Sequence, residues 1–133
     1  MSIWTHVLAC ARFEYYGLSD PPFGLECPTI SGSSREVVED FRKHPEKYLP
    51  AGSEGTLRKS VWRNPDNAAM EEYTISIFGD LRDHYDPDGI IDWFKNKLKD
   101  EDLYVKQAVV TVENDLHGIR TWTYIPYYQR RRH

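Results

Sequence analysis

Four segments of this chain alternate from one side to the other with a period of two and a fifth is rich in β-branched residues, and that pattern limits the chain to folds built around a β-sheet. A strand turns successive side chains to opposite faces, so sustained alternation marks a strand with two distinct faces. The first segment runs from Ser2 to Tyr16. Ile3, Val7, Ala9, Ala11 and Phe13 fall on one side, and Trp4, His6, Leu8, Cys10 and Arg12 on the other. Both sides are largely apolar near its start, which predicts a central strand. The small pair Ala9 and Ala11 leaves room for a helix to approach that side.

The second segment, Thr56 to Arg63, sets Leu57, Lys59, Val61 and Arg63 against Arg58, Ser60 and Trp62. Its charges suit an edge strand, where they discourage pairing with another chain. Glu72 to Arg82 places Tyr73, Ile75 and Ile77 opposite Thr74, Ser76 and Phe78, and Leu103 to Glu113 is rich in β-branched residues. Asn114-Asp115-Leu116-His117-Gly118 has turn chemistry. The chain returns as Ile119 to Ile125, and Pro126 stops the ladder because it lacks an N–H.

Two helices separate these strands. Ser33 with Glu36 forms a capping-box pattern ahead of Arg35 to Lys43, in which Val37, Val38 and Phe41 share a face. Pro45 ends that run, and residues 45–48 predict one further turn. Asp86 is a candidate N-cap followed by Pro87 at the first helical position. Ile90, Ile91, Trp93, Phe94 and Leu98 then make a wide apolar stripe. Asp88 and Asp92 lie early in this helix and Lys95, Lys97 and Lys99 late, as the helix dipole favours.

The resulting order, β-α-β-β-α-β-β, predicts an α+β fold: a ferredoxin-like split β-α-β sandwich with an extra C-terminal antiparallel strand. The expected sheet order is 5-4-1-3-2, with both helices on one face. The length of 133 residues suits a single α+β domain over residues 1–126. Within it residues 17–32 form a Pro/Gly-rich loop, and residues 127–133 make a basic, aromatic tail.

Charge narrows the range of functions. The chain carries a formal charge of −4. Residues 71–115 hold 12 acidic and 5 basic side chains, whereas residues 116–133 hold 4 basic and none acidic. Phosphate binding needs a positive surface, so the acidic middle argues against nucleic acid as a partner. No apolar run approaches the roughly 18 residues of a membrane span, and the first residues lack the basic and apolar regions of a secretory leader. The two cysteines, Cys10 and Cys27, do not make a disulfide framework. Cys10 reads as a small buried hydrophobe. A reduced, cytoplasmic setting follows.

Catalytic and metal-binding signatures are not evident. The five histidines form no zinc-type spacing, and Asp80, Asp83, His84, Asp86 and Asp88 lack the full calcium-loop pattern. They read as a helix cap and a solvated acidic turn. There is no GxSxG, Walker A or GxGxxG motif. Glu14 beside Tyr15 and Tyr16 is a lone carboxylate and weak support for acid–base chemistry. The expectation is therefore a chain that is not an enzyme and needs no cofactor or metal.

With Ala9, Ala11, Phe13, Ile75 and Ile77 assigned to the helix side, Trp4, His6, Leu8, Phe78, Trp122 and Tyr124 remain for the other. An uncovered apolar sheet face of that size marks an interaction site. Trp4, His6, Trp122 and Tyr124 are the expected binding anchors, since Trp and Tyr dominate binding hot spots. The opening Met1-Ser2-Ile3-Trp4-Thr5-His6-Val7 resembles that of small uncharacterised bacteriophage proteins, and Gly118 to Tyr124 is compatible with that group. The resemblance implies a host-cytoplasmic protein acting on a host or viral protein. The expected function is a small protein-binding module that also forms homodimers. Two alternatives stand beside it: a small-ligand binder or enzyme with a pocket near His6, and single-stranded RNA binding on sheet aromatics. The second lacks the basic-Gly-aromatic run such domains carry on the strand where Glu72 to Arg82 sits.

Overall fold

The computed structural model describes residues 2–15, 35–44, 48–63, 71–84, 86–99 and 103–125. Five strands make one antiparallel sheet: β1 (Trp4–Tyr15), β2 (Leu57–Arg63), β3 (Glu71–Arg82), β4 (Leu103–Asn114) and β5 (Gly118–Tyr124). Their order is β2-β3-β1-β4-β5. This is the expected order read from the opposite edge, and β1 is central.

The ferredoxin-like class, by contrast, is overturned. That fold lays two helices side by side on one face of the sheet. Here a single helix, α2 (Pro87–Lys97), packs extensively on the sheet, over β4 and β5. The nine-residue α1 (Arg35–Lys43) makes no extensive contact with any strand among the described residues. Its six described side chains are all charged and five of them are exposed, so the described part of α1 offers the sheet no apolar surface. Side chains of Val37, Val38 and Phe41 lie outside the described part, as do residues 45–47, 17–32 and 127–133. The described residues make a five-stranded antiparallel sheet with one helix, α2, laid on it.

Register follows from which side chains must be dry. Ala9 pairs with Ile77 on one side and Val110 on the other, and Ala11 pairs with Ile75 and Ala108. All of these residues are buried, together with Val7, Phe13, Leu57, Leu81 and Val112. Ile90, Ile91, Phe94 and Leu98 of α2 and Leu49 close over them. Small residues of β1 face larger ones on its neighbours, Ala9 against Ile77 and Val110 and Ala11 against Ile75, which gives α2 room to approach. Gly79 sits in this face with φ 149°, and a Cβ there would meet the Thr56 carbonyl oxygen at 2.5 Å. Only glycine lets β2 approach β3 at that point.

Both ends of α2 read as expected. The Asp86 side chain accepts from the Gly89 N–H at 2.9 Å, and Pro87 opens the helix. At the β4–β5 turn, Asn114 Oδ1 accepts from the N–H groups of Leu116 and His117, each at 2.9 Å. Gly118 takes φ 79° to close the turn. Asn114 is itself buried. It donates through Nδ2 to Thr5 Oγ1 at 2.8 Å, and Thr5 donates to the His84 carbonyl at 2.7 Å. This buried chain of hydrogen bonds ties the hairpin turn to β1 and to the start of α2.

Candidate functional site

The face of the sheet turned away from α2 is built row by row from the strand register. Across β3, β1 and β4 the rows read Asp80–His6–Glu113, Phe78–Leu8–Thr111, Ser76–Cys10–Val109 and Thr74–Arg12–Gln107. The middle is apolar and open: Leu8 is 64% exposed, Phe78 41% and Val109 38%. Trp62 of β2 and Ile119 of β5, also exposed, stand at opposite corners. Cys10 lies here and not in the core. It is half-buried, with Ser76 Oγ 3.7 Å from its sulfur.

Charge frames this apolar centre at both ends. At one end His6 stands between two carboxylates, its Nδ1 donating to Asp80 Oδ1 at 2.6 Å and its Nε2 lying 3.4 Å from Asp115 Oδ1. The Asp80 hydrogen bond, opposed in part by desolvation and helped by Asp115, holds the His6 imidazole above its ordinary pKa. At the other end Glu14 and Glu72 are directly paired across β1 and β3. Two like charges in that position repel. Lys106 resolves the conflict, its Nζ lying 3.0 Å from Glu14 Oε1 and 3.0 Å from Glu72 Oε2. It reaches them because β4 shifts register between Arg12 and Phe13.

The four expected anchors do not meet. Trp4 and His6 lie on the open face, as expected. Trp122 and Tyr124 lie on the helix side, because β5 pairs Trp122 with buried Val110 and Tyr124 with buried Ala108. Both rings pack partly buried against the core. The hairpin carried the signal for this: three residues between Asn114 and Gly118 fix the register that puts Trp122 opposite Val110. The separation also takes the stacking platform away from the RNA alternative, whose two C-terminal rings are on the other side. Leu8 and Phe78, with Trp62 at one corner, supply the exposed apolar area rather than Trp4 and Trp122.

On the helix side a cavity of about 390 Å3 opens between the end of α2, the start of β4 and the end of β5. It is lined by Lys95, Leu98, Lys99, Leu103, Tyr104, Val105, Trp122 and Tyr124. His6 is not among them, so this cavity does not answer the expectation of a pocket beside that histidine. Lys95, Leu98, Lys99 and Leu103 gave no functional signal in the sequence, because spacing assigns them to helix charge and core.

Among the described residues no group of three or more His, Cys, Asp or Glu side chains is arranged to hold a metal ion. No described helix is long and apolar enough to cross a membrane. Comparison with protein-family models, with curated proteins and with solved structures returned no match.

Proposed function

We propose that this chain is a small, non-enzymatic binding module that self-associates through the sheet face opposite α2. The observation that carries the reading is the exposed apolar centre of Leu8, Phe78 and Val109, bounded by charge at both ends. Side chains of this kind lower their free energy when another apolar surface removes them from water.

A second copy suits this face by charge. A two-fold axis running across the strands between the Leu8 and Cys10 rows lays the Arg12 row of one copy over the Asp80–His6–Glu113 row of the other. Arg12 is half exposed and only 3.9 Å from Glu72, so it is held loosely enough to reach an acid across an interface. The symmetry makes this contact twice, as an isologous interface must. With strands about 4.8 Å apart and residues about 3.4 Å apart, the four rows cover on the order of 400 Å2 in plan. That is below the roughly 800 Å2 per partner of a standard stable interface, so a weak, reversible dimer is expected.

Sedimentation equilibrium over a concentration series tests the reading. The native chain is expected to move from monomer to dimer at about 10–100 micromolar, and the Leu8→Thr/Phe78→Thr variant to remain monomeric with unchanged circular dichroism. Threonine keeps strand propensity, so the fold should persist. A chain that stays monomeric at millimolar concentration, or a dimer untouched by the double substitution, overturns the proposal. The latter result points to edge pairing through β2 or β5.

A further inference from the structure

The cavity on the helix side lies away from the self-association face and carries an inference of its own. Its floor is aromatic. Trp122 and Tyr124 stack with ring centroids 6.1 Å apart and planes 9° from parallel. They extend from the partly buried edge of the core, so they are held in place by packing rather than left to rotate. Leu98 and Leu103 provide apolar sides. Two ammonium groups belong to the same wall: Lys95, which sits 5.5 Å from the centroid of the Trp122 ring, and Lys99. Among the described residues no carboxylate lines the cavity.

Size, shape and charge each restrict what fits. A volume of about 390 Å3 falls in the range of small-molecule sites, roughly 300–1,000 Å3, near the lower end. The 6.1 Å between the two rings admits no third one, so a flat π-system packs against their edges or an outer face. Lys95 over Trp122 is a cation held at a ring face, and an anionic group on the ligand would meet it there without displacing it. The two lysines also offset the negative end of the α2 dipole, which would otherwise repel an anion.

We infer that the cavity between α2, β4 and β5 is a binding site for a small planar aromatic anion, its ring set against Trp122 and Tyr124 and its acid group held by Lys95 and Lys99. Asp100, Glu101 and Asp102, which follow Lys99, lie outside the described residues. A matched pair of probes, one anionic and one neutral, measures the electrostatic preference of the cavity directly.

The probes are indole-3-acetate and its neutral amide, indole-3-acetamide, which differ in charge and barely in shape. Each is titrated into the full chain and followed by 1H–15N NMR. The acetate is expected to bind at submillimolar concentration, about tenfold tighter than the amide, with shifts centred on Lys95, Leu98, Trp122 and Tyr124. Lys95→Gln/Lys99→Gln, two side chains outside the buried core, should reduce that preference to within about twofold while the amide still binds. Trp122→Leu should weaken both probes alike, its folded state verified by the same spectra. Equal binding of acid and amide by the native chain overturns the assignment, as does absence of shifts at these residues with either probe at several millimolar. Unaltered discrimination in the double lysine variant does the same.

Discussion

At the scale of single residues, the open face is shaped by how it handles charge. Glu14 and Glu72 are nearly buried and face each other across two strands, and Lys106 bridges them. Removing one partner from a desolvated ion cluster leaves the rest uncompensated, which is worse than never having built it. Lys106→Met should therefore destabilise the fold by about 2 kcal/mol in urea denaturation, and Glu14→Gln added to it should recover part of that loss. Two histidines act in opposite senses with pH. His6 is held above its ordinary pKa by Asp80 and Asp115, so its contribution is present below about pH 6.5 and is lost as pH rises through the folded value. His84 is held below its ordinary pKa by burial, offset in part by Asp86, so stability is lost as pH falls below about 6.5 and the unfolded chain takes up the proton. Denaturation midpoints across pH 5–8 should consequently rise with pH for His6→Gln and fall with pH for His84→Gln. Parallel curves for the two variants would contradict these assignments.

At the scale of elements, α2 is the helix that covers the sheet among the described residues. Its cap is local and clear: Asp86 accepts from Gly89, and Asp86→Ala should lower stability by about 1 kcal/mol, read as a shift in the urea midpoint. The strands and this helix were legible in the sequence because each carries a periodicity that reports its own environment. Ala9, Ala11, Phe13, Ile75 and Ile77 are buried as their alternation implies. Two features were not legible in the same way. The run from Arg35 to Lys43 has the capping pattern of a helix, but propensity says nothing about whether a helix finds a surface. Among the described residues α1 makes no extensive contact with a strand, so it does not form the second half of a layer there. The face of β5 was also misassigned, since Ile119, Thr121 and Thr123 look at least as apolar as Arg120, Trp122 and Tyr124. Which set points inward is decided by pairing with β4, not by composition: Thr121 opposes Thr111, while Trp122 opposes Val110. The candidate site was accordingly half legible, with Trp4, His6, Leu8 and Phe78 on the expected face and Trp122 and Tyr124 on the other.

At the scale of the whole molecule, the sheet separates two kinds of surface. One side is dry under α2 and leaves an aromatic, lysine-bearing cavity at its margin. The other presents an apolar centre between a histidine–carboxylate group and a lysine–carboxylate group. Each end mixes acidic and basic side chains, and the proposed two-fold sets Arg12 of one copy against the carboxylates beside His6 of the other. Because the expected contact is small and partly ionic, added salt should weaken association even as it favours burial of Leu8 and Phe78. The most direct measurement is a dilution series followed by methyl and aromatic NMR of the native chain. The resonances of Leu8, Val109 and Phe78 should shift together with a single dissociation constant, while those of Leu116, exposed on the β4–β5 turn, and of Trp122 stay fixed. Resonances of the open face that do not move with concentration, or shifts confined to the edges of the sheet, would contradict the account.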